Sequence, residues 1–401
     1  MSGLKNYFIN FRKTFKLKNF ITYFIILGVI IIFGTLGGIG VFDRKKLFLT
    51  MLAQIGYSLI AALSLSLVVG FLGELSLGHA AFMSIGAFFG CYFQNAIFPS
   101  LTVSAPLLSI IIAMFIGGIF AGIFGFVIGI PALRLKGDYL AIVTLAFGEI
   151  VRVVIENVPI FGGNTGFEIK YHYNIKTLYI IIFVVLLISL IVVQNLIRSK
   201  HGRAVMAVRD NEIAARSMGV NVSKYKITVF VISAVIAGVA GVLYGNAQTR
   251  ISAPKFNYNY SINILVMVVL GGMGNINGTL IAATIITYID VKLGTSLRNN
   301  LADLKDIIYA LILIVLVIYN NAPALKKFRD KYNLKNGAAA AWNFVVRLFT
   351  KKKAEHDPAK EVEFGADWSR IPTKVNMDEI LSTDFIPDGD KTGKEGGGEE
   401  R

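Results

Sequence analysis

Apolar runs of about twenty residues recur along this chain, and they leave it few ways to fold. A run of that length makes a helix long enough to cross the ~30 Å hydrocarbon core of a bilayer. Residues 20–39, 47–70, 105–130, 177–197 and 227–245 each qualify. Composition agrees: 55% of residues are hydrophobic and 16% charged, where a soluble domain carries about a quarter charged residues. Mean hydropathy is +0.63. The expected fold class is all-α: a polytopic integral membrane protein of about ten membrane helices, two of them short half-helices. Its place is a membrane.

The charge pattern sets the orientation. The net charge is +15, yet the bases sit in short segments beside apolar runs, which marks topology and not a nucleic-acid partner. Residues 1–19 carry Lys5, Arg12, Lys13, Lys16 and Lys18 and no acid, a cytoplasmic N-terminus. The first apolar run lacks a small-x-small cleavage site and reads as a retained helix. The next connection, with Arg44, Lys45 and Lys46, falls outside and goes against the same rule. The single cysteine, Cys91, lies in an apolar run and excludes an intramolecular disulfide.

Residues 70–90 are unusual for lipid, because Glu74, Ser76 and His79 stand among Gly70, Gly73 and Gly78. A carboxylate at membrane depth needs a cavity or a partner, and glycines permit a broken helix whose freed backbone faces protein or water. Either this is a broken helix along a transport path, or it is the cytoplasmic turn between two spans. Further on, Gly118/Gly122, Ala121/Gly125, Gly125/Gly129, Ala234/Gly238 and Gly241/Gly245 are small residues four apart, the spacing of close helix packing. The span opened by Asp138 places Glu149, Arg152 and Glu156 on one helical face, where they can pair with one another.

Residues 198–226 form a polar island between two apolar runs, with the bases Arg198, Lys200, Arg203, Arg209, Arg216, Lys224 and Lys226. Asp210 is placed to cap a short helix, Glu212 falls in its first turn, and Gly219 ends it in the left-handed conformation. Such a helix suits a grip by a cytoplasmic partner; an ordinary connector with positive-inside charge would look similar.

Residues 261–270 and 279–289 are apolar pieces too short to cross alone, separated by a glycine-rich break at 271–278 that carries Asn275 and Asn277. If the final span, 304–319, ends at a cytoplasmic tail, residues 261–292 must enter and leave by the same side. The two breaks are alike in kind, and a pair of interrupted helices in the two halves of a transporter points to the permeation path. Its candidate lining is Glu74, Ser76, His79, Asn275, Asn277 and Thr279; helix-to-helix hydrogen bonds would use the same side chains. In the tail, residues 321–354 combine bases with Trp342, Val345, Val346 and Phe349 at helical spacing, which suits an anionic lipid surface or a partner subunit. Residues 355–401 hold thirteen acids and six bases without apolar periodicity, the composition of a disordered segment.

No catalytic constellation or metal-ligand spacing is found among four His and one Cys, so neither an enzyme nor a metal or cofactor is expected. No phosphate-cradling G-x-x-x-x-G-K-[ST] occurs: Gly393-Lys394 is followed by Glu395. An ion gradient or another polypeptide must therefore drive any transport. Four stretches, GELSLGHAAFMSIGA (73–87), LRLKGDYLAIVTLAFGEI (133–150), AVRDNEIAARSMGVNVSKYK (207–226) and LVMVVLGGMGNINGTLIAA (265–283), resemble the permease subunits of high-affinity branched-chain amino-acid importers of the ABC class. The second points to the larger of the two permease types, and the similarity covers roughly 45–320. That resemblance implies a coupling loop at Arg209, Asp210, Glu212, Ala214, Ala215 and Gly219, with Ile213 inserted between the Glu and the Ala pair. It also implies a second related permease subunit, two ABC ATPase subunits and an extracytoplasmic substrate-binding protein as partners. The competing expectation is an ion-gradient-driven secondary transporter of amino acids or urea and amides, motivated by Glu74 and the broken helices.

Overall fold

The computed structural model describes residues 45–296 except 98, 136 and 172, together with the isolated positions 28, 311 and 314. The expected spans at 20–39 and 304–319 and both tail segments lie outside the described residues. Among those residues the chain is almost entirely helical, and six helices are long and apolar enough to cross a membrane.

Helix α1 (Lys45–Leu65) continues without a break into a seven-residue π-helical segment, Ser66–Leu72. After an irregular stretch, α2 (His79–Tyr92) follows and also ends in π form, at Phe93–Ile97. A short α3 (Pro99–Ser104) leads to α4 (Pro106–Ala132), which starts with proline in its first turn, where a missing N–H costs nothing. Then come α5 (Asp138–Asn157) and α6 (Ile175–Arg198), the latter capped by Asn174 Oδ1 on the Lys176 N–H at 3.1 Å. The polar island folds as α7 (Lys200–Asp210) and α8 (Glu212–Ser217), after which α9 (Val222–Asn246) re-enters the bundle. A tight turn joins α10 (Tyr258–Gly271) to α11 (Ile276–Ser296). A two-residue antiparallel pairing, β1 (Phe167–Glu168) with β2 (Arg250–Ile251), ties the connections at the end of the bundle away from α7 and α8.

The bundle is organised on α1 and α9. Helix α9 packs most extensively against α4, α2 and α1, and α1 also carries α6 and α11. The small residues make these approaches possible. A Cβ on Gly122 would meet Val235 at 2.7 Å, one on Gly125 would meet Ala234 at 2.6 Å, and one on Gly238 would meet Ala121 at 2.5 Å. Helix α4 is accordingly small-sided inward, while Leu107, Ile111, Phe115, Ile123 and Val127 are exposed on its other face. Large side chains toward lipid and small ones toward neighbours is the arrangement that packing in a bilayer favours.

Two expectations change. The second apolar piece was read as a half-helix ending at 289, but α11 runs 21 residues and is long enough to span. It continues through Asp290 and Lys292, whose charges look like an end in sequence; Lys292 Nζ lies 5.8 Å from the Tyr288 ring centroid. Asp210 does not cap α8 but is the last residue of α7. The cap is Asn211, whose Oδ1 accepts the Ala214 N–H at 3.0 Å. Gly219 does stop that helix, at φ +81°.

Candidate functional site

Helix α8 is held from below and bare above. Its Ala215 is buried with Val208 of α7 and Val222 of α9; Asn211 caps α8 itself and Asn221 caps the α9 that follows. Ile213 and Met218 are 76% and 84% exposed. Glu212 faces inward. Its Oε1 accepts from Arg216 Nη2 at 3.0 Å, one helical turn away, and its Oε2 accepts from Lys226 Nζ at 3.2 Å.

Lys226 connects this helix to the first glycine break. Its ammonium also donates to Glu74 Oε1 at 2.6 Å, and its side chain is only 6% exposed. Glu74 therefore belongs to the loop cluster. It joins an ion triad, Glu74–Lys226–Glu212, at the loop end of the bundle, where the alternative of a turn between two spans also places it. The lysine is buried while the two carboxylates keep 13% and 23% exposure, so the pairing offsets chiefly the desolvation of Lys226.

Arg209 connects the same loop to both breaks. Its Nη1 donates to the Gly70 carbonyl at 2.6 Å, inside the π-helical segment. The breaks meet there: a Cβ on Gly70 would stand 2.8 Å from the Gly274 nitrogen, and one on Gly274 would stand 3.1 Å from Arg209 Nη1. A Cβ on Gly73 would lie 2.8 Å from Arg209 Cγ, at a backbone with φ +79° that side chains rarely adopt. The break between α10 and α11 thus sits at the loop end, against Arg209 of α7. Residues 258–292 descend to that end and return, because Gly271 closes on Thr279 and Gly278 across the turn. A cleft of about 230 Å³ adjoins it, lined by Phe71, Gln194, Arg198, Gly274 and Asn277 among others.

The remaining path candidates separate into two groups. Asn275 and Asn277 are exposed at the start of α11, where Asn275 Oδ1 accepts the Gly278 N–H at 3.3 Å. Thr279 is buried and its hydroxyl donates to the Asn275 carbonyl at 3.1 Å. Ser76 and His79 are buried, His79 beside Ser233 of α9. Ser233 Oγ donates to the Ser64 carbonyl at 2.6 Å, so its single proton is spent. His79 Nε2, 2.9 Å from the same hydroxyl, must then be the donor. That leaves His79 Nδ1 as an acceptor; among the described residues neither it nor Ser76 Oγ has a partner. The sequence pointed to neither Ser233 nor Lys226. Lys226 was visible only as one base in a basic loop, and Ser233 is a lone hydroxyl in an apolar run. The pairing of Arg152 with Glu149 (2.7 Å) and Glu156 (2.8 Å) is as the helical spacing requires, and Glu149 also accepts the Tyr258 N–H at 3.0 Å.

A family model described as branched-chain amino acid transport system / permease component matches residues 47–317, which contain both breaks and the loop between them. The chain belongs to this family. The high-affinity branched-chain amino acid transport system permease protein LivM of Escherichia coli (strain K12) is 32% identical over 313 residues, 70% of each chain. The probable branched-chain amino acid transport permease protein LivM of Methanocaldococcus jannaschii is 30% identical over 278 residues, 60% of this chain and 79% of that one. The permease protein LivH of Salmonella typhimurium is 25% identical over 279 residues, 65% of this chain and 89% of its own. This permease is a multi-pass membrane component of a transport system of the ABC class. In it, the loop at 198–226 and the two glycine breaks form one connected unit.

Proposed function

We propose that this permease is one of two related membrane subunits of an ATP-driven importer for branched-chain amino acids. It is moved by an ABC ATPase subunit that grips α8 on the cytoplasmic side and is fed by a substrate-binding protein on the other. The observation that carries the reading is the exposed pair Ile213 and Met218 on a short helix whose opposite face is anchored. Apolar side chains held out from a basic loop fit a partner's groove. The coupling residues are Arg209, Asp210, Glu212, Ala214, Ala215 and Gly219, and no bond-making step is assigned to the chain. Ser76 and His79, with unused polar capacity inside the bundle, are our path-facing candidates. The ion-gradient alternative drew on Glu74 and the broken helices, and the pairing of Glu74 with Lys226 weakens the first of these motives.

The test is uptake of labelled leucine by vesicles containing the complex, with ATP supplied and ion gradients collapsed. Continued uptake and retention of ATPase subunits by the purified chain are expected. Uptake that follows the gradient instead of ATP would sink the reading. So would labelling of a Met218→Cys variant by an impermeant maleimide from outside the cell.

A further inference from the structure

The loop is tied to the bundle at two points, one ending on the Gly70 carbonyl and the other on the Glu74 carboxylate of the glycine-broken segment. Arg209 stands two residues before the cap of α8 and lies on the Gly70 carbonyl, with Gly73 and Gly274 against its side chain. Lys226, in the second turn of α9, holds Glu212 of α8 on one side and Glu74 of the irregular segment on the other. We infer that Arg209 and Lys226 are positioning residues that bind the movement of α8 to both glycine breaks at once, so that the end of α1 and the α10–α11 turn shift together.

Four features support this. The Gly70 carbonyl belongs to a π-helical stretch, a rare form found frequently at functional sites. The guanidinium reaches backbone only because Gly70, Gly73 and Gly274 have no side chains, and a methyl on any of them would press on it or on the facing strand of chain. The ion triad spans three separate elements, so α8 cannot turn without moving Lys226 or parting from it. The cleft beside Gly274 and Asn275 gives the turn room to move without repacking the core.

The inference rests on the reading of α8 as the part held by an ATPase subunit. The experiment uses the full complex in liposomes, with leucine uptake and ATP hydrolysis read in the same vesicles. ATP-dependent uptake by the unmodified complex, together with cross-linking of a Met218→Cys variant to an ATPase subunit, establishes that reading; without them, both proposals fall together. Given that uptake, Arg209→Met and Glu74→Gln are each expected to keep the ATPase subunits and to hydrolyse ATP. The leucine moved per ATP should drop about tenfold, the scale of an ordinary coupling between sites. Arg209→Lys, which retains a donor and a charge, should recover most of the loss. Should one variant fail to assemble, the other is read alone. An unchanged ratio of leucine to ATP overturns the inference. So does a parallel fall of uptake and hydrolysis, which a merely structural role produces.

Discussion

Replacing Gly86 by alanine tests whether the bundle is set by backbone contact between its helices. Gly86 of α2 faces Gly238 of α9, and a Cβ there would fall within the radius of the Gly238 carbonyl and Cα. The same crossing includes α4, since a Cβ on Gly117 would stand 2.7 Å from the Gly86 oxygen. The obstacle is backbone on both sides, so no side chain can swing away and the helices themselves must part. Overpacking a tight core costs about 1–3 kcal/mol. Against this, alanine gains about 1 kcal/mol over glycine within a helix. Gly148 of α5 supplies the control, because a Cβ there would meet only the Gly78 Cα, at 3.9 Å. The two variants should therefore differ by about 1–3 kcal/mol, the overpacking cost alone, because the propensity gain is common to both and cancels. The assay is denaturant unfolding of the purified chain in mild detergent, followed by loss of helical circular dichroism. Equal stability of the two variants, or a more stable Gly86→Ala, would refute the packing argument.

Two further outcomes follow from residues outside the spans. Asn211→Ala removes the side chain that caps α8 and should cost about 1 kcal/mol locally; faster hydrogen exchange at the Ala214 amide is the measurement, and unchanged exchange would remove the cap from the account. Tyr173 donates to the Pro106 carbonyl at 2.9 Å and accepts from Gln94 Nε2 at 2.5 Å. Burial pushes its phenol from the ordinary value of 10.0 up to about 12. The neutral form is the one the fold favours, so its contribution is complete below the unfolded pKa and is lost as pH rises through the folded one. The stability difference between the natural chain and Tyr173→Phe should be flat up to about pH 10 and shrink toward pH 12. A difference that grows over that window would contradict it.

What could be read from the residues was whatever depends on near neighbours in the chain. The spans show as apolar runs, and the Glu149–Arg152–Glu156 pairing follows from three and four residues of helical spacing. The inward stripe of α4 follows from small residues recurring at every fourth position. The stop at Gly219 also was legible, because left-handed backbone selects glycine. The cap slipped by one, since Asp210 and Asn211 are equally suitable and only the exit angle of α7 decides between them. Asp290 and Lys292 hid the last turns of α11, because charge in a sequence looks like an end even where a helix continues. The surroundings of Glu74 stay open in the sequence for a deeper reason: its partner is 152 residues away, and nothing local to either residue reveals that the two meet. Two glycine breaks were recognised as alike, but their direct contact, and the arginine lying across it, exist only once the helices are packed.

The helix from Phe48 to Leu72 is enclosed on every side in the finished bundle, and this carries a consequence for how the protein is made. Its walls, α6, α9 and α11, emerge from the ribosome only long after it has entered the bilayer. Until then it must wait among lipids with Ser58, Ser64 and Ser66 facing hydrocarbon. Ser64 and Ser66 can turn their hydroxyls back to the carbonyls of Ala61 and Leu63 in the meantime, as they do in the folded state. The innermost part of this transporter is thus inserted early and completed late, and a chain cut short before Ile276 would leave its centre open.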